Sequence, residues 1–387
     1  MKRIYVDNAA TTPVSETARR VMLETMDRAW GNPSSLHTTG QVAAEILLKA
    51  RQDVAKCLNA AREREITFTS GGSEADNQAL LSGAMLGKKK GKMHLISTAF
   101  EHHAVLHSLK RLEKEGFEVT LLDVGRKGLV TAEQVEAAIR PDTCLVSVMF
   151  ANNEVGTIQP IAEIGAVCKK HGVLLHTDAV QAVGHVPIDV QAMHIDLLSL
   201  SGHKFGGPKG VGALYARTGV WLTNLLEGGA QERGKRAGTE NVPGIAAMAA
   251  ALTEACRNMP ETASRVTELR DQLIAGLSRI PLTIVNGDTE RRLPGNVNVC
   301  FQGIEGESLL LLLDAKGIEA SSGSACTSGS LDPSHVLLAL GRPHEVAPGS
   351  LRLTLSHTNT QEDVEYMLRE IPQVVSYLRS ISPVWEA

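Results

Sequence analysis

The chain has 387 residues, of which 43% are hydrophobic and 21% charged, with a formal net charge of −4. That length exceeds what one core usually sustains, so two domains are expected, and the slight acidity removes the electrostatic case for nucleic acid or an anionic membrane as partner. No apolar stretch is long enough to cross a bilayer, the first residues run into Asp7 without an apolar signal core, and six cysteines lack any C-x-x-C pair, so a reducing, cytoplasmic location is expected.

From residue 65 to 216 short apolar runs alternate with helix-length segments. Strands are predicted over 65–69, 93–97, 118–122, 144–149, 173–177, 196–200 and 211–216, and helices over 74–86, 103–114, 131–139 and 161–170. This alternation predicts an α/β fold, a mostly parallel seven-stranded sheet flanked by helices on both faces. No helix separates 196–200 from 211–216, so these two are expected to be antiparallel neighbours. After a glycine-rich stretch over 227–238, an alanine-rich helix is predicted from Pro243 to Asn258. Pro260 and a second amphipathic helix to Arg279 follow. Strands near 282–285, 296–301 and 318–320, a helix over 307–316, a strand-like run around Arg352 and a closing helix from Thr360 suggest a smaller α+β domain. The expected division is a large domain over 14–258 and a small one made of 1–13 and 259–387.

The stretch from Ser199 to Pro208 places Lys204 among small, hydroxylated and glycine residues at a strand end, with Ser201 and His203 beside it. A lysine so placed can hold an aldehyde cofactor as a Schiff base, while the neighbouring hydroxyl and imidazole grip its phosphate. Asp178 ends the 173–177 run. A carboxylate against a pyridine nitrogen keeps that ring protonated and makes it an electron sink. Taken singly, the lysine reads as a solvated loop residue and the aspartate as a turn former. Their order and spacing favour pyridoxal 5'-phosphate.

Other segments extend the site. Thr69 to Glu74 joins a strand to a helix, where free N–H groups and the Ser73 hydroxyl attract a phosphate, or where the serine simply caps. In Phe100–Ala104 an imidazole stands at a strand end, able to stack on a planar ring and shuttle protons. His103 and His107 lie four apart, which permits a metal pair, but no acidic ligand pattern accompanies them and surface histidines are expected. An asparagine of the Asn152–Asn153 pair, or Gln181, can donate to a cofactor oxygen, though turn chemistry also favours such residues. Ser321 to Ser330 surrounds Cys326 with small residues, so an accessible thiol on a mobile loop is expected, whereas Cys144, Cys168 and Cys300 sit in apolar runs and are expected to be buried. Arg352 offers a bidentate guanidinium for an amino-acid carboxylate.

Together these segments resemble the cysteine desulfurases of the NifS/IscS type, the group I branch of the aminotransferase class V family. The resemblance runs from Tyr5–Pro13 through Gly31–Ser35 to the C-terminal helix. Ser201–Lys204 with Asp178 is shared by the wider superfamily, Ser322–Gly329 marks the group I branch, and Gln231–Asn241 looks like the nitrogen-fixation type. The chain departs from many relatives at Ser356–Asn359, where a basic residue is usual, and at Ala9.

The resemblance implies the fold type I architecture of pyridoxal-phosphate enzymes and conversion of L-cysteine to L-alanine, with sulfur carried as a persulfide on Cys326. It implies that Lys204 tethers the cofactor, Asp178 pairs with its ring nitrogen, and His102 stacks on the ring and manages protons. Asn153 and Gln181 would touch the phenolic oxygen or substrate. Gly72, Ser73, Ser201, Gly202 and His203 would line the phosphate site, with Thr239 from a partner subunit of a homodimer. Arg352 would hold the substrate carboxylate. The implied acceptors are an iron–sulfur scaffold or another sulfur-accepting protein. No resident metal is implied, although Cys326 is placed to ligate a nascent iron–sulfur cluster transiently. Selenocysteine lyase, another aminotransferase or lyase of the same fold, and a non-catalytic sulfur-assembly scaffold are the alternatives.

Overall fold

A computed structural model describes residues 2–322, 333–383 and 385; Cys326 and the rest of 323–332 lie outside the described residues. The first half of the chain runs β1 (Ile4–Tyr5), α1 (Glu16–Arg28), α2 (Thr38–Cys57), β2 (Ile66–Thr69), α3 (Gly72–Lys88), β3 (His94–Thr98), α4 (His103–Lys114), β4 (Glu118–Leu122), α5 (Ala132–Ala138), β5 (Thr143–Ser147), α6 (Ile161–His171), β6 (Leu174–Asp178), β7 (Leu197–Ser201) and β8 (Gly212–Ala216). Seven of these strands form one sheet in the order β2-β8-β7-β6-β5-β3-β4. Pairing is parallel from β4 through β7, and β8 runs antiparallel to both β7 and β2. The expected antiparallel neighbour is therefore present.

The central strands are buried along their length except at Leu174, which opens β6, as a sheet covered on both faces requires. One apolar cluster joins the sheet to α2, α5 and α6, and a second joins its other face to α3 and α4. In α4, Val105, Leu109 and Leu112 recur along one buried stripe, and His102 caps its start by accepting from the Ala104 N–H. Cys144, Cys168 and Cys300 are buried, as the apolar runs around them predict.

The second half contains α7 (Gln231–Gly234), α8 (Val242–Leu277), β9 (Thr283–Val285), β10 (Asn296–Phe301), α9 (Gly306–Ala315), β11 (Ile318–Glu319), α10 (His335–Ala339), β12 (Ser350–Thr354) and α11 (Gln361–Ile381). β12, β10 and β9 form a small antiparallel sheet, and β11 pairs in parallel with β1. A third apolar cluster lies here and includes Ile4 and Val6 from the start of the chain.

Two sequence expectations need correcting. Pro260 does not end a helix: α8 runs without interruption from Val242 to Leu277 with Pro260 inside it. An interior proline removes a backbone donor and costs about 3 kcal/mol. Burial on both sides of it offsets that cost, because Ile245, Met248 and Leu252 pack into the first cluster and Val266, Leu269, Leu273 and Leu277 into the third. Two helices before the first predicted strand, α1 and α2, also went unread. α1 buries only Ala18 and Thr25, so it presents no apolar stripe to detect.

The short helix α7 depends on one buried ion pair. Arg51 of α2 grips Glu232 with both guanidinium nitrogens at 2.7 Å, and the Phe68 N–H also donates to that carboxylate. Glu232 and Arg233 hold left-handed backbone conformations, with φ of 49° and 59°. Such conformations are costly for residues with side chains and persist only where surroundings enforce them. Here the carboxylate must reach Arg51. Glu232→Ala leaves that guanidinium buried and unpaired, so we expect a loss of about 3–5 kcal/mol, read as a lowered midpoint in denaturant unfolding. Surface pairs such as Arg19–Glu16 should contribute under about 1 kcal/mol.

Candidate active site

The candidate residues collect at the carboxyl ends of the parallel strands, where open α/β sheets bind ligands. Asp178 closes β6, and Ser201 closes β7, beside it in the sheet. Lys204 follows in a tight turn over Gly202–Lys204. His102 follows β3, and Asn153 follows β5. The N-terminal segment crosses this edge: the Lys204 ammonium donates to the carbonyls of Ala9 and, at 2.8 Å, Ala10, and the Gln181 amide donates to Ala9 at 2.9 Å. Gly202 lies behind the turn, where a Cβ would meet Met248 at 2.9 Å.

An anion cradle opens beside this lysine. Ala10, Thr11, Ser70–Glu74, Ser201, His203, Lys209 and Gly210 line a cavity of about 420 Å³. α3 begins here from Gly71, with no side chain capping its first N–H groups. The Ser73 and Ser201 hydroxyls have no hydrogen-bond partner among the described residues, although both border the cavity. Gly72 permits the close approach of Val180, since a Cβ would sit 2.5 Å from its Cγ2. The His203 Nδ1 meets the Thr11 hydroxyl at 3.1 Å, and burial holds its imidazole down to about 4, so at neutral pH it is an uncharged donor. Uncapped helix N–H groups, two unpaired hydroxyls and a neutral imidazole suit a phosphate ester.

The ring site behind the cradle is an electrostatic problem with three buried carboxyls. Burial raises the pKa of Asp178, while His102 and Lys204 draw it down. One oxygen accepts from the Val180 N–H, and the other has no partner among the described residues. Asp76 stands beneath it, pushed well above its ordinary value by burial and by the charge on Asp178. Glu101 is pushed up to about 8 by burial. Burial thus favours the neutral form of both, and Glu101 stays largely protonated at pH 7. The unpaired Asp178 oxygen faces a demand that only a cationic donor meets, as a protonated pyridine nitrogen would. His102 is held below its usual value, chiefly by burial. Its Nδ1 accepts from the Ala104 N–H at 3.1 Å, so the proton of the neutral ring sits on Nε2.

Arg352 lies on β12 opposite Asn298. Its Nη2 bonds the Asp7 carboxylate at 2.8 Å and its Nη1 the Asn153 carbonyl at 3.1 Å, while its buried Nε–H has no partner. The two asparagines divide their work. Asn152 is fully buried and structural, accepting from the Glu154 and Val155 N–H groups and donating to the Phe100 carbonyl. Asn153 is half-buried, and its amide makes no hydrogen bond among the described residues.

The sequence matches the aminotransferase class-V family over residues 4–367. It is 54% identical to a curated protein of Methanosarcina thermophila named cysteine desulfurase IscS, covering 99% of this chain and 94% of that one. It is 46% identical to the cysteine desulfurase NifS of Azotobacter vinelandii, covering 100% and 96%. A solved structure titled NifS-like protein superposes with a TM-score of 0.91 at 39% identity, covering 97% of this chain and all of that one. The chain belongs to the aminotransferase class-V family.

Within this class-V frame, several expected residues are not brought together. Thr239 is exposed and absent from the cavity lining, and Cys326 lies outside the described residues. His103 is half-buried, its ring stacked 5.0 Å from His107 and 4.5 Å from His335. Among the described residues no group of three or more His, Cys, Asp or Glu side chains is arranged to hold a metal ion. A larger cavity of about 550 Å³ opens at the opposite edge of the sheet, by Lys90, Cys144 and Tyr215, and contains none of the candidate residues. Sequence reasoning missed Asp7, Asp76, Glu101 and Glu154. The first lies within the Tyr5–Pro13 run that carries the class-V resemblance; the others are single carboxyls whose role is visible only once folding has buried them.

Glu101 gives a signed pH prediction. Its folded pKa of about 8 exceeds the ordinary 4.5, so its contribution to stability is fully present below 4.5 and is lost as pH rises through 8. Glu101→Gln keeps an oxygen for the Thr98 hydroxyl and the Met149 N–H. The variant should gain stability relative to the parent as pH climbs across that window, measured by denaturant midpoints at each pH. A difference constant with pH would exclude the buried neutral acid.

Proposed function

We infer that this class-V chain is a pyridoxal-phosphate-dependent cysteine desulfurase, which converts L-cysteine to L-alanine and passes on the sulfur. The observation that carries the reading is the buried Asp178 carboxylate with one oxygen unpaired, next to Lys204 and to an uncapped helix start. Relatives named cysteine desulfurase, alike over essentially the full length, select the substrate within that chemistry.

Pyridoxal phosphate, when bound, supplies an electrophilic aldehyde and a ring that accepts the electron pair released when a Cα–H bond breaks. The chain's residues do the rest. The α3 N–H groups, Ser73, Ser201 and His203 would hold the phosphate; Asp178 would keep the ring nitrogen protonated; Lys204 would tether the aldehyde and, as a free amine, would move the proton at Cα. Arg352 would bind the substrate carboxylate, and the Asn153 and Gln181 amides would orient the polar groups between. His102, with its proton on Nε2, serves the substrate thiol and the leaving fragment. The Cys326 thiolate attacks the substrate sulfur and the Cβ–S bond breaks. The bonding pair stays with the three-carbon fragment, which takes up a proton and leaves as alanine, and Cys326 keeps the sulfur as a persulfide.

A homodimer is part of the proposal. Trp30, Leu36 and Trp221 are 77%, 94% and 78% exposed, more large apolar surface than an isolated subunit usually shows. Thr239 is exposed and outside its own subunit's cavity, which leaves it free to face a second copy. The acceptors fit an iron–sulfur scaffold or another sulfur-carrying protein in the cytoplasm; no helix among the described residues is long and apolar enough to cross a membrane.

Brief exposure to L-cysteine should yield alanine and a persulfide mass increment on Cys326 in equal amounts. Cys326→Ala should retain the cofactor's visible absorbance and form neither product, whereas Lys204→Ala should lose the tethered band. Keto acid as the product, or free sulfide without a protein persulfide, would replace this reading with an aminotransferase or lyase.

A further inference from the structure

We propose that Ser334 and His335 are positioning residues that lock the two loops bearing His102 and Asn153 into one frame, an assignment that rests on the desulfurase reading. Ser334 caps α10 and His335 begins it, after the Cys326 segment in sequence, and neither is hydrogen-bonded to the His102 or Asn153 side chain. Their bonds go to the neighbours of those side chains.

His335 acts on the peptide before His102. Its Nε2–H donates to the Glu101 carbonyl at 2.9 Å, and that carbonyl shares a peptide plane with the His102 nitrogen. Rotating that plane would change the backbone torsion that aims the His102 ring. The far side of the same residue is fixed already, since the Glu101 carboxyl accepts from the Met149 N–H and the Thr98 hydroxyl. The His335 ring also packs at 4.5 Å against His103, the next residue along. Burial holds both imidazoles below their usual values, so the stack is neutral and free of like-charge repulsion.

Ser334 acts on the other loop. Its hydroxyl donates to the Glu154 carboxyl, which is buried and pushed up to about 7, and accepts from the Val336 and Leu337 N–H groups. One donor and two lone pairs are thus committed, so the hydroxyl cannot turn away without orphaning buried groups. Glu154 adjoins Asn153, whose carbonyl accepts from Arg352. Small misalignments of a supporting shell are known to cost reaction rate more than they cost fold.

The two residues therefore make separable predictions. His335→Phe keeps a ring against His103 and removes the donor; kcat for alanine formation should fall about tenfold, with KM, the cofactor dissociation constant and the thermal midpoint held. His335→Gln returns an N–H donor and should recover kcat to within about twofold. Ser334→Ala should instead raise KM for cysteine several-fold, because it loosens the Asn153–Arg352 side. The imidazole 15N resonances of His102 report independently of turnover: they should shift in the Phe variant and return in the Gln variant. Wild-type kinetics and unshifted resonances for His335→Phe would overturn the assignment, as would equal losses in Phe and Gln variants accompanied by a lowered thermal midpoint. Wild-type protein that forms no alanine from cysteine would instead sink the desulfurase reading, with the resonances still deciding whether His335 aims His102.

Discussion

The site is organised by the cost of keeping a carboxylate out of water. Asp178 sits at the end of a central strand, where solvation is poor and a lone charge is expensive. The same burial pushes the neighbouring acids Asp76 and Glu101 toward their neutral forms. Asp178 itself keeps one carboxyl oxygen without a hydrogen-bond partner among the described residues. Lys204, His102 and the cavity at the start of α3 gather around the same strand ends as that carboxyl.

The N-terminal segment binds the halves of this arrangement together. Ala9 and Ala10 offer carbonyls to Lys204 and Gln181, and Asp7 offers its carboxylate to Arg352. The first residues of the chain thus touch both the sheet that presents the lysine and the strand that presents the arginine. Ile4 and Val6 anchor the segment in the third apolar cluster. The alanine at position 9, a departure from some relatives, retains what this geometry uses, since the contact is made by the backbone.

Much of the fold was legible because its signals are local. Strand runs, the crossover pattern and the antiparallel β7–β8 neighbour follow from hydrophobic periodicity and turn spacing. Lys204, Asp178 and Ser73 stood out because strand ends and helix starts are readable in sequence. The unread parts depend on tertiary context. α1 carries almost no apolar stripe, and Pro260 looks like a terminator until two cores are seen to hold the helix across it. Asp76, Glu101 and Glu154 become distinctive only through burial, and Asn152 and Asn153 are indistinguishable until one is found satisfied by backbone and the other left open.

α8 spans 36 residues, about 54 Å at the standard rise per residue. Its first half is cemented into the sheet side and its last turns into the small antiparallel sheet. Pro260 lies between these two anchored parts, and its missing amide proton leaves the Cys256 carbonyl without its helical donor. The proline that looked like a break thus marks a turn where this rod is less fully hydrogen-bonded, between two ends that separate cores hold in place.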